Sequence, residues 1–168
     1  MDAGSAGLLR HPLKNDWVRA GIVSYGSAPD FPEHDAAHWG LQPTMTLAAK
    51  IIAVQAISAG AGVRYGSQFV AQEPMRIGVV ACGYADGYPR SLGNGAGKMW
   101  VSGKLVPVIG NVCMDMTMLD ITGIDAQEGD EVIVFGAALP VTELAASAQS
   151  IPYEILTGIS QRVKRVYF

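Results

Sequence analysis

The chain has 168 residues, 49% of them hydrophobic and 16% charged, with a net charge of −3 and no block of like charges. This suffices for one well-buried soluble domain, or a domain plus a fragment, and argues against nucleic acid or an anionic membrane as the main partner. No apolar run approaches the roughly 18 residues of a membrane span, and Met1-Asp2-Ala3-Gly4 lacks the regions of a signal peptide, so a cytoplasmic location is expected. Cys82 and Cys113 stand far apart and outside metal-ligand spacing, which predicts buried thiols in a reducing compartment and no metal site.

Residues 1–43 read as a piece of something larger. Ser5–Leu9 and Trp17–Val23 are short apolar stretches, expected as a lone pair of strands that cannot enclose a core. Ser27 to Gly40 reads as a loop. Its His34 and His38, four apart beside Glu33 and Asp35, superficially resemble metal ligands, but no helical pattern puts them on one face and a solvated loop is expected.

Residues 44–168 carry most of the regular structure. Thr44–Ile57 is ambiguous between helix and strand, and its β-branched Thr46, Ile51, Ile52, Val54 and Ile57 favour a strand. Further strands are expected over Val63–Ala71 and Ile77–Cys82. Met99–Val101 and Leu105–Ile109 flank Ser102-Gly103 in a hairpin pattern, and Val112–Ile121 and Glu131–Phe135 complete the β run. Val141, Leu144, Ala145 and Ala148 recur at helical spacing. Pro152 suits the first position of a second short helix that turns Ile155, Leu156 and Ile159 inward. Val163–Phe168 is expected as a last strand. The coarse fold is mainly β, mostly antiparallel, with one or two short helices.

Chemistry is suggested by two tyrosines beside glycines, Tyr65-Gly66 and Gly83-Tyr84, the second followed by an Asp86-Gly87 turn. Strand ends can deliver such phenols to a site. On spacing alone a β domain with tyrosines at its wet margin is the better reading.

Five motifs in order carry a resemblance that reverses this preference: Val18-Arg19-Ala20-Gly21-Ile22 with Tyr25-Gly26, Val63-Arg64-Tyr65-Gly66, Gly83-Tyr84-Ala85-Asp86-Gly87-Tyr88-Pro89-Arg90, Gly110-Asn111-Val112-Cys113-Met114-Asp115 and Tyr153-Glu154-Ile155. Together they resemble the C-terminal portion of alanine racemases, enzymes that use pyridoxal 5'-phosphate. The resemblance implies that residues 1–43 are the remnant of a cofactor-binding (β/α)8 barrel. It implies that residues 44–168 are the β-rich, barrel-like C-terminal domain. It further implies a homodimer with shared active sites that interconverts L- and D-alanine and supplies D-alanine for the bacterial cell wall.

Racemisation removes a proton from one face of the α-carbon and returns one to the other, most directly with two acid/base groups. By resemblance one group is a lysine that also anchors the cofactor, and the other is Tyr65, contributed by the partner subunit. A free phenol has a pKa of about 10, so holding it ionised at neutrality needs about 4 kcal/mol of differential stabilisation. Arg64 is a poor source if the segment is a strand, because adjacent side chains face opposite ways. A histidine of the missing barrel is implied instead.

Arg19 matches the arginine that faces the cofactor's ring nitrogen, which a guanidinium leaves unprotonated. Without its flanking residues it would read as a surface ion-pair partner. Gly21 and Ile22 match phosphate-binding N–H groups, Ser5 a phosphate-binding hydroxyl, and Tyr153 a tyrosine reaching the same phosphate. Met114 and Asp115 match the pair near the substrate carboxylate, with the Met114 N–H as donor. Tyr84, Arg90 and Ile151 match positions along the access corridor, where sterics govern selectivity. Cys113 reads as core rather than nucleophile.

Three departures accompany the match. Asn111 stands where many relatives have arginine, and Gly4 where asparagine is common. None of Lys14, Lys50, Lys98, Lys104 and Lys164 sits in the motif of the cofactor lysine. The segment is therefore expected to be inactive by itself. A free-standing β domain that binds a partner, a racemase of broader specificity and a decarboxylase of similar architecture remain as alternatives, the last fitting the motifs poorly.

Overall fold

A computed structural model describes residues 4–12, 16–63 and 69–167. Helix α1 spans Ser5–Arg10, and a 3-10 helix spans Gly21–Tyr25. This replaces the pair of strands expected from the two apolar stretches. Ala6, Leu8, Leu9 and Arg10 are good helix formers. Gly21 (φ +53°) and Gly26 (φ +72°) bracket the second segment with left-handed turns that an extended strand could not contain.

The strands are β1 (Leu47–Ile57), β2 (Gly62–Val63), β3 (Phe69–Val70), β4 (Met75–Val80), β5 (Lys98–Val101), β6 (Lys104–Ile109), β7 (Thr117–Asp120) and β8 (Glu131–Phe135). Six of them close into an antiparallel barrel in the order β1-β4-β7-β6-β5-β8. β1 is long enough to seal it: Leu47–Lys50 pairs with β8 and Ile51–Ile57 with β4. Register shifts on both sides of β1 supply the bend. Ser102 (φ +46°) and Gly103 (φ +83°) join β5 to β6 in a two-residue turn whose left-handed residues match the strand twist.

Inward side chains include Leu47, Ile51, Val80, Met99, Val101, Val108, Leu119 and Val132, all buried. Gly78 also faces inward, where Ile121 and Ile51 fill the space a side chain would take. Helices α2 (Val141–Ser147) and α3 (Pro152–Gly158) add Leu144, Ala145 and Ile155 to this core, with Ile159 following α3. Outside the barrel wall, Met75, Ile77, Ile109 and Met118 form a second cluster with Ala71, and Phe69 of β3 packs on it.

Three expected strands are corrected. Val63–Ala71 is not one strand: β2 and β3 pair antiparallel with each other through Gly62–Val70 and Val63–Phe69. Of Val112–Ile121 only Thr117–Asp120 is strand, because the Cys113 N–H turns back to the Met116 carbonyl at 2.9 Å. Residues 163–167 form no strand; the closed barrel offers no edge, and Arg165 takes up the carbonyls of Ile159, Ser160 and Val163.

Candidate functional site

After β4 the chain turns at Cys82 and Gly83 and enters a 3-10 turn over Tyr84–Asp86. The 113–116 loop lies directly against it. Tyr84 N–H donates to the Cys113 carbonyl at 3.0 Å and Ala85 N–H to the Met114 carbonyl at 2.9 Å. Gly83 permits this approach, since a Cβ there would sit 2.4 Å from the Cys113 oxygen and 2.5 Å from that of Met114. Thr117 Oγ1 secures the base by donating to the Cys82 carbonyl at 2.7 Å. The Met114 carbonyl is thus occupied, while among the described residues its N–H has no hydrogen-bond partner. Met114 and Tyr84 are 54% and 43% exposed, so the pair presents a phenol, a thioether and a backbone donor outward.

Charge is concentrated beside this surface, with Arg162 and Asp115 both exposed. Arg162 donates from Nε to Asp86 Oδ1 at 2.8 Å and from Nη2 to Asp115 Oδ1 at 2.7 Å. Hydrogen bonds donated to Asp86, then to Asp115, push the guanidinium pKa above its usual range. Burial, aided by the Asp86 charge, pushes the Cys82 thiol up to about 12, so it is inert at neutral pH. Cys113 is half-buried against the outer cluster, in keeping with a packing role.

A second group forms near the N-terminus. Ser5, buried at the start of α1, donates its hydroxyl to the Ala20 carbonyl. Gly21 lies beside it: a Cβ at Gly21 would come within 2.8 Å of Ser5 Oγ. Gly21 and Ile22 open the 3-10 helix, where the first N–H groups lack intrahelical acceptors, and neither has a partner among the described residues. Two N–H groups without partners among the described residues, beside a hydroxyl, are donors of the kind that suit a phosphate group. Arg19 is exposed and makes no ion pair among the described residues.

Helix α3 lines two clefts. Leu156 lines a cleft with Tyr25, Gly26 and Ser27, whereas Ile155 and Glu154 line another with Tyr84 and Ser91. Ile151 caps α3 and is 58% exposed, Tyr153 lies in its first turn, and Arg90 is exposed at the start of a 3-10 turn beside the second cleft. The structure therefore gathers Met114, Asp115 and Tyr84 into one group and Ser5, Gly21 and Ile22 into another. Tyr65 lies outside the described residues, as does Arg64.

Sequence reasoning missed Asp86 as a charge and Arg162 altogether. They are 76 residues apart, and the Asp86-Gly87 pair has an ordinary turn reading that hides the ion pair. It also misread the 27–40 loop as merely solvated. Asp30 there receives Trp39 Nε1 at 3.0 Å, Arg10 Nη2 at 2.9 Å and pairs with His34 Nδ1 at 2.9 Å. Ligand atoms of Asp30, Glu33 and His34 come within 4.8 Å of one another, but Arg10 already bridges the two carboxylates.

Residues 44–167 match the family described as "Alanine racemase, C-terminal domain". The chain is 52% identical over 171 residues to an alanine racemase of Polaromonas sp. (strain JS666), covering 96% of this chain and 47% of that protein. It is 50% identical over 169 residues to that of Methylibium petroleiphilum, covering 95% and 46%. Among solved structures, the biosynthetic alanine racemase of Pseudomonas aeruginosa matches with a TM-score of 0.91 at 40% identity, over 99% of this chain and 46% of that one. The Bartonella henselae alanine racemase, solved with covalently bound pyridoxal phosphate, matches with a TM-score of 0.88 at 32% identity, over 99% and 46%. The chain thus spans a little under half the length of these relatives.

Proposed function

The chain belongs to the alanine racemase family, whose C-terminal domain it contains, and from that premise we propose that it is the C-terminal part of a cytoplasmic, homodimeric enzyme interconverting L- and D-alanine. Residues 1–43 close the cofactor-binding barrel in this reading, and the product serves cell-wall synthesis. Pyridoxal 5'-phosphate, when bound, supplies the electron sink that makes the α-proton removable.

This chain's residues bind, orient and exchange protons. The N–H groups of Gly21 and Ile22 would hold the cofactor phosphate, joined by Tyr153 and by the Ser5 hydroxyl once it turns from Ala20. Arg19 would meet the ring nitrogen and, as a group that does not give up its proton, leave that nitrogen unprotonated. The Met114 N–H, beside Asp115, binds the substrate carboxylate. The Tyr65 phenol holds and releases a proton on one face of the α-carbon in the neighbouring protomer. The opposing lysine belongs to the N-terminal half of the enzyme. Tyr84, Arg90 and Ile151 line the route in and favour a small substrate.

The observation that supports this reading best is that the Ala85 N–H occupies the Met114 carbonyl while, among the described residues, the Met114 N–H has no partner. The test joins the chain to the N-terminal half of an alanine racemase and follows D-alanine from L-alanine with the cofactor present. We expect turnover by the joined protein and none by the 168-residue segment. Failure of the joined protein overturns the reading, and turnover by the segment alone overturns the need for the second half. Rates on serine and lysine then set the substrate range.

A further inference from the structure

Arg162 reaches two carboxylates on separate parts of the barrel's end, Asp86 in the Tyr84 turn and Asp115 beside Met114. The second oxygen of Asp86 accepts the Gly83 N–H at 2.9 Å, and its carbonyl accepts the Ser160 N–H at 3.2 Å. The turn, the 113–116 loop and the segment after α3 are therefore joined at one point. Tyr84 and Ala85 N–H groups already bond the loop, and the Gly83 contact leaves no room for it to slide inward. Outward motion is opposed at the side chains by Arg162. Without the guanidinium, two like charges would face each other across the turn, and Asp115, whose side chain is 55% exposed, would be free to swing into solvent. Arginine suits the task because Nε–H and Nη–H project from one rigid edge and hold two acceptors at a set separation. An ammonium is a point charge on a flexible stem.

We propose that Arg162 is a positioning residue for the reaction. By bridging Asp86 to Asp115 it fixes the Met114–Asp115 peptide against the Tyr84 turn, and so sets where the Met114 N–H and the Tyr84 phenol meet the substrate. The kinetic consequence rests on the function proposed above, whereas the mechanical one does not, and each has its own readout.

Hydrogen exchange on the 168-residue chain tests the mechanical part. In Arg162→Gln the amides of Gly83, Tyr84 and Ala85 should exchange about tenfold faster while those of β5 and β8 keep their rates. Arg162→Lys should leave the turn amides fast as well. Unchanged turn amides, uniform acceleration through the barrel, or full rescue by lysine would each overturn the proposal. In the joined enzyme, Arg162→Gln should raise KM for alanine about tenfold and lower kcat less than about threefold. Asp115→Asn should do the same, and the double variant should add little to either, as expected for groups acting through one contact. Additive effects, or a fall in kcat alone, would overturn it. If the unmutated joined enzyme leaves alanine unchanged, the function fails and the exchange result still decides the bridge.

Discussion

At Gly83 the backbone is extended and any residue could adopt it; what forbids a side chain is the carbonyl of Cys113, 2.4 Å from where a Cβ would be. Gly83→Ala must push the 113–116 loop away, and we expect about 1–3 kcal/mol of destabilisation, typical of overpacking, read as a lower urea midpoint. If Tyr65 carries a proton as proposed above, Tyr65→Phe in the joined enzyme should lower kcat about 100-fold or more in both directions. Undiminished interconversion would remove Tyr65 from the mechanism. Asp30 carries a pH signature. Burial pushes its carboxyl up, but donors from Trp39, Arg10 and His34 outweigh this and hold it at about 2. A lowered folded value stabilises the fold above the unfolded value of about 4, and that contribution is lost as pH falls toward about 2. Melting temperature followed down that range should fall less steeply for Asp30→Asn than for the natural sequence.

Elements were legible where a local rule and the tertiary demand agree. Ser102-Gly103 both adopt left-handed conformations, so a pattern read as a hairpin is one, and β8 spans the expected Glu131–Phe135. Pro152 opens α3 at a position where its missing N–H costs nothing, and Ile155 and Ile159 are buried as the spacing required. Ile155 is 2% exposed, so Ile155→Ala should cost about 2–5 kcal/mol, measured by chemical denaturation. Elements were misread where distant partners decide. Val112–Met116 has strand-like residues, yet the Tyr84 and Ala85 amides claim its carbonyls. The 163–167 tail has β-branched valines but no open edge to pair with. The site followed the same division. Motif matches pointed to Met114, Asp115 and Tyr84, while the Asp86–Arg162–Asp115 bridge depends on contacts spanning 76 and 47 residues, which no local pattern encodes.

In the six-stranded barrel, ring closure removes the exposed ladders through which β proteins stack edge to edge. Large apolar and aromatic side chains remain exposed, Met114, Met116, Ile151, Tyr153 and Tyr84 each by at least 40%. The segment should therefore self-associate with rising concentration, visible by sedimentation velocity, and the joined protein should do so through a defined dimer instead. The β2–β3 pair forms a sheet of its own and rests on the outer cluster through Phe69 and Ala71. Cys113, adjoining Met114, packs on that same cluster. One small apolar cluster thus lies under both the β2–β3 pair and the loop that carries residue 114. Thinning it at Met118 or Ile77 would loosen the β2–β3 pair and the 113–116 loop together.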